Sequence, residues 1–204
     1  MSQSFNVVLS GPLLDVFGSI FALFRDLEPL GFRHDGSIVR IEESEEEISV
    51  PFEAQSAKLV ADWMGAAASF STRGITLDVI VTRWDSFSNV DIETGEGILR
   101  RAYQEGRFAA YLLALAAIAT TCRAAGGTGG YDFNPDPISP EHIMGTITNN
   151  PENPGYPSDL GIVSRSGVPR NVIERLSQSF RIQETTEYWL LVGCELEELL
   201  RRPV

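Results

Sequence analysis

Residues 5–9 form a short apolar run closed by Ser10, Gly11 and Pro12, the pattern of a strand that ends in a turn. Pro12 suits the first turn of a helix. Beyond it Leu13, Val16, Phe17, Ile20, Phe24 and Leu27 recur at three- and four-residue steps, which predicts a helix with a wide apolar face, stopping near Pro29 and Gly31. Residues 37–42 and 48–52 alternate, with Ile38 and Ile41 flanking Arg40 in the first and Ile48, Val50 and Phe52 sharing a face in the second. The polar stretch between them predicts a β-hairpin with an acidic tip. A second helix is expected over 53–70, its apolar face carrying Leu59, Val60, Trp63, Met64 and Ala67. Gly74 then opens a strand with Ile75, Leu77, Val79 and Val81 on one face.

This order, β-α-β-β-α-β over residues 1–84, predicts a ferredoxin-like antiparallel sheet with both helices on one face, within an α+β fold. After a turn at Asp85 and Ser86, residues 84–92 are expected to add an edge strand. Thr94 is the expected N-cap of a long helix over 94–125 with a break near Gly106. Residues 108–122 of that helix carry no charge, but a membrane span needs about 20 apolar residues, so the segment reads as a helix buried in the core. Gly126, Gly127, Gly129 and Gly130 are expected to end it in a flexible loop. Residues 126–168, rich in proline and asparagine, are expected to be irregular, with one helical turn after Pro140. A helix at 169–177, strands at 180–183 and 188–193, and a closing helical turn at 195–202 complete a single domain over 1–204.

Composition narrows the function. The chain of 204 residues is 43% hydrophobic and 22% charged, as globular domains are. Sixteen basic residues against 28 acidic ones give a net charge of −12, which disfavours nucleic acid and anionic membrane surfaces and favours a basic partner. Lys58 is the one lysine, placed by its helical context on the surface, so no other lysine can serve as a catalytic amine. Cys122 and Cys194 lie in apolar contexts and form neither a disulfide framework nor a zinc site; both are expected in the core. The N-terminal residues lack the pattern of a secretory signal, so a bacterial cytoplasm is the expected compartment.

Candidate chemistry is sparse. The glycine run follows a helix and lacks a following Gly-Lys-Ser/Thr, unlike a phosphate loop, where the glycines precede a helix N-terminus. There is no G-x-S-x-G elbow. His34 sits in a turn. Asp132, Asp136, Glu141 and His142 could assemble an acid–base pair or a metal site on the 131–160 loop, though proline-rich sequence gives them no helical alignment. Glu42, Glu43, Glu45, Glu46 and Glu47 at the hairpin tip could attract a basic partner, or serve only as a solvated turn that resists edge-to-edge aggregation. Trp63 and Trp189 are expected in or near the core. Trp84, at the end of a strand, is the tryptophan expected at the surface, a residue type enriched at binding hot spots.

These readings favour stoichiometric binding of a basic protein, in the manner of an immunity protein that neutralises a bacterial toxin or effector, with no cofactor and no metal. The alternatives are a small-molecule or metal-dependent enzyme built on the 131–160 loop, and a structural subunit of a larger assembly.

Overall fold

In the computed structural model, described over residues 4–41, 48–53, 56, 63–131, 137–149 and 159–202, the first apolar run extends into strand β1, Ser4–Gly11. Helix α1 spans Val16–Leu27. Asp15 rather than the Pro12 turn sets its start, its carboxylate accepting from the Gly18 N–H at 3.2 Å. Strands β2 (Arg33–His34), β3 (Ser37–Ile41) and β4 (Ser49–Pro51) follow. The expected hairpin is present, with Ile38 opposite Val50, while its tip at 42–47 lies outside the described residues, as does Lys58.

The expected helix over 53–70 is overturned where it is described: Gly65–Thr72 is strand β5. Alanine favours helices intrinsically, but Ala66, Ala68 and Phe70 turn into the core on alternate positions, and β5 is hydrogen-bonded on both sides, to β3 and to β6 (Ile75–Arg83). Tertiary pairing outweighs a propensity worth only tenths of a kcal/mol per residue. Strand β7, Ser88–Gly95, is likewise no edge strand, because it lies between β6 and β1. Thr94 is buried within it, and Gly95 takes the N-cap position of α2, Glu96–Gln104. Gly106, at φ +72°, separates α2 from α3, Phe108–Thr121, as the expected break requires.

The glycine run is not a loop. It forms strand β8, Gly126–Tyr131, paired with β1 on one side and with β9, Leu160–Ser164, on the other. Strand β9 also falls within the stretch expected to be irregular. Helix α4 spans Pro140–Asn149, and α5, Arg170–Arg175, continues into a short 3-10 turn at Leu176–Gln178. Strands β10 (Phe180–Glu184) and β11 (Tyr188–Gly193) and helix α6 (Cys194–Arg201) close the chain, near their expected positions. Cys122 is buried as expected, and burial pushes its thiol up to about 12. Cys194 is exposed instead of core, because it opens α6 on the outer side of the turn from β11.

The result is α+β, with one antiparallel sheet of eleven strands ordered β10-β11-β9-β8-β1-β7-β6-β5-β3-β4, β2 also pairing with β5. A ferredoxin-like order would set β1 beside the strand at 75–83 and beside the hairpin. Here β1 pairs with β7 and β8 instead. Helices α1, α2, α3 and α6 cover one face over the main core, in which Phe5, Leu9, Leu77, Ile92, Leu115 and Leu190 are fully buried. Helices α4 and α5 cover part of the opposite face, over a smaller core with Ile143, Val163, Ile173 and Trp189. Strand β11 is buried at every position because it feeds both cores: Leu190 faces the first and Leu191 the second. Strand β6 alternates, burying Ile75, Leu77, Val79 and Val81 and turning Asp78 outward.

Candidate functional site

The features of interest lie on the face opposite α1 and at the sheet end where β1 finishes and β7 begins. Trp84 follows β6 at that end and is half-buried. Its indole N–H donates to Asn89 Oδ1 at 3.1 Å. The same oxygen accepts from the Ile138 N–H at 3.2 Å, and Asn89 Nδ2 donates to the Ile138 carbonyl at 2.8 Å. Ser10 Oγ donates to that carbonyl as well, at 2.6 Å. The knot is partly buried and mutually satisfied, so it fixes the chain entering α4 against the sheet. Trp84 therefore has a structural duty through its N–H, while part of its ring faces outward.

Two large apolar side chains are exposed at this end of the sheet, where Asp85 and Ser86 are exposed as well. Met64 is 56% exposed, and its carbonyl accepts from the Arg83 N–H at 2.7 Å, one residue before Trp84. Leu13 is 51% exposed, and the neighbouring Leu14 N–H donates to Ser88 Oγ at 3.0 Å. Ile41, where the chain leaves the sheet towards 42–47, lies level with Gly65 and, across it, Thr82. The pairing thus brings the anchor of the acidic segment and Trp84 to one end of the sheet. Glu42, Glu43, Glu45, Glu46 and Glu47 themselves lie outside the described residues.

Further along the same face, β7 presents Asn89, Asp91 and Glu93 in turn. Asp78 of β6 stands directly opposite Glu93, a like-charged cross-strand pair, with Ser69 Oγ hydrogen-bonded to the Asp78 carboxylate. Asp91 lies between Ile80 and Val8, its partners on either side, and Val8 is only 1% exposed. Burial alone pushes the Asp91 carboxyl up to about 6, and among the described residues no cation or hydrogen-bond donor offsets it. Sequence reasoning passed over Asp78, Asp91 and Glu93. The signal was the alternation of residues 89–94, in which Val90 and Ile92 face the core and the polar residues face away.

The enzyme candidates are only partly described. Glu141 and His142 are exposed in the first turn of α4, where Ser139 Oγ accepts from the His142 N–H at 3.2 Å as a helix cap. Asp132 and Asp136 lie outside the described residues. Among the described residues no three His, Cys, Asp or Glu side chains gather as metal ligands would, and no helix is long and apolar enough to cross a membrane. His34 packs between Phe24 and Phe52, ring centroids 4.4 and 4.3 Å away, and its Nδ1 accepts from the Gly36 N–H at 2.8 Å. It serves the aromatic packing of α1 on the hairpin.

Comparison of the chain with protein-family models, with curated proteins and with solved structures returned no match.

Proposed function

We propose that this protein acts by stoichiometric association with a basic protein partner, as an immunity protein does when it neutralises a bacterial toxin or effector in the cytoplasm. The observation that carries this reading is the end of the sheet around Trp84. Leu13 and Met64 stand exposed beside it, at the point where the chain enters the glutamate-rich 42–47 segment. Apolar anchors ringed by charge are the usual make-up of a binding surface: the anchors supply affinity and the charges accelerate encounter. The carboxylates Asp78, Asp91 and Glu93 extend the negative character along the same face of the sheet.

The test begins with a tagged protein recovered from its native host and the identification of what is held in stoichiometric amount. Charge reversal at Glu45, Glu46 and Glu47 is expected to lower the association rate with that protein by about tenfold at low salt, with an unchanged melting temperature. Replacing Leu13 and Met64 by serine is expected to raise the dissociation rate instead. Association kinetics untouched by both sets of changes would remove this surface from consideration.

The enzyme reading makes the opposite demand on the loop. His142→Ala is expected to leave partner binding and biological activity intact. Loss of activity with the fold and the partner affinity retained would transfer the function to Asp132, Asp136, Glu141 and His142.

A further inference from the structure

On the helix-covered side, where the corner between α2 and α3 meets β10 and α6, the surface folds into a cleft of about 390 Å³. Its floor is apolar, formed by Phe108, Ala109 and Leu112 at the start of α3. Its rim carries two arginines around one carboxylate. Arg181 Nε contacts Glu197 Oε1 at 2.6 Å, and Arg201 Nη2 lies 3.8 Å from Glu197 Oε2. Arg201 Nε donates to the Tyr103 hydroxyl at 3.3 Å, and Gln104 Nε2 donates to the Arg202 carbonyl at 2.8 Å, which ties α2 to the end of α6. Glu197 is 16% exposed and so is held between its two partners rather than in solvent.

The charge count in this cleft runs against the rest of the molecule. Two guanidiniums against one carboxylate leave it at +1 on a chain whose net charge is −12. A guanidinium carries five N–H donors in a planar fork. The Arg181 and Arg201 side chains are 49% and 65% exposed, so both guanidiniums remain open to a further acceptor. They border an apolar floor that an inorganic anion would leave unused.

We propose that this cleft binds a small organic monocarboxylate with an apolar body, the carboxylate held by Arg181 and Arg201 and the body laid on Phe108, Ala109 and Leu112. A carboxylate matches the guanidinium fork in plane and spacing. A single negative charge brings the cleft to neutrality, whereas a phosphate dianion would overfill it and meet the Glu197 carboxylate. The volume lies within the range of small-ligand sites, which combine an apolar lining with a few placed polar groups. None of the lining residues belongs to the surface around Trp84, so this site and the protein-binding surface stand or fall separately.

Phenylbutanoate is the probe, with phenylbutanamide and inorganic phosphate as comparators, titrated by calorimetry against the full chain. Saturable one-to-one binding of the acid is expected, with the amide and phosphate at least about tenfold weaker. Arg181→Gln and Arg201→Gln are each expected to weaken the acid by about tenfold. Glu197→Gln keeps an oxygen for Arg181 but removes the competing charge, and is expected to tighten binding severalfold. Ala109→Phe fills the floor without touching a charge and is expected to abolish binding, with the melting temperature confirming the fold. The proposal is overturned if the acid does not bind at millimolar concentration, if the amide or phosphate binds equally well, or if the arginine variants bind as the parent does.

Discussion

Gly129→Ala is expected to destabilise the protein by about 3 kcal/mol, and Gly127→Ala by a similar amount. A Cβ at 129 would stand 2.7 Å from the Asn6 carbonyl oxygen and 2.7 Å from Val7 Cγ2. One at 127 would stand 2.8 Å from the Val8 carbonyl oxygen and would also overlap the Leu9 side chain. Neither glycine needs a positive φ, because β8 is ordinary extended strand. What they provide is space. Val7 and Leu9 of β1 lean over β8, and Tyr188 of β11 donates its hydroxyl hydrogen bond at the end of α3, to the Ala119 and Ala124 carbonyls at 3.0 and 2.9 Å. A methyl group at either position must displace backbone oxygen, which cannot rotate aside as a side-chain end can. Gly97→Ala is the control: nothing lies within 4 Å of that Cβ, and in the first turn of α2 it is expected to be neutral or to gain up to about 0.5 kcal/mol. Chemical denaturation of the three variants checks the contrast. A Gly129→Ala protein as stable as the parent would show that β1 and β8 are not packed this closely.

Asp91→Asn is expected to stabilise the protein at neutral pH by about 2 kcal/mol. The carboxyl has an ordinary value of 3.8 and is raised to about 6 by burial between Ile80 and Val8, so the fold favours its protonated form. Below 3.8 the group is protonated in both the folded and the unfolded chain, and it imposes no penalty. As pH rises from there to about 6 the unfolded chain ionises first, and the penalty on the fold grows; above 6 it is complete. The advantage of asparagine should therefore be full above pH 6, fade as pH falls from about 6 towards 4, and be absent below that. Melting temperatures of parent and variant across that range test the sign, and a difference independent of pH would mean that the carboxyl titrates in solvent. A carboxylate kept in place at such a cost is one that a cationic group of a partner would compensate, which links this measurement to the proposed binding face.

Much of the architecture could be read from periodicity, because it rested on side chains that announce their own environment. Ile38 and Val50 marked the hairpin, the uncharged stretch at 108–122 marked the buried helix, and the apolar run at 188–193 marked a strand, though not that both its faces are covered. Strands β5 and β8 escaped for the converse reason. Gly65, Ala66, Ala67 and Ala68 read as helix, and the glycines of β8 read as loop, because the bulk that fills the core beside them belongs to neighbouring strands such as β1 and β6. Missing β8 and β9 also hid the sheet order, since both partners of β1 lie far along the chain. The candidate site was partly legible. Trp84 stood out by residue type, but its bond to Asn89 and the exposure of Met64 and Leu13 depend on strand pairings that local pattern does not encode. Asp91 looked like any polar strand residue until Val8 and Ile80 were placed on either side of it.

The central position of β1 bears on how the chain is made. Its neighbours are β7, where Leu9 meets Val90, and β8, where Phe5 meets Tyr131. At a synthesis rate of about 5–20 residues per second, β1 waits on the order of ten seconds for the second of them. Throughout that interval the apolar segment Phe5, Val7, Val8 and Leu9 has no ladder on one or both of its edges. The pairs β5–β6, β6–β7 and β10–β11 join sequence neighbours and do not wait for β1, but the two halves of the sheet meet only when β8 reaches it. The joining of the two halves is therefore expected to come late, after the local hairpins, and β1 is the segment that a ribosome-associated chaperone would hold.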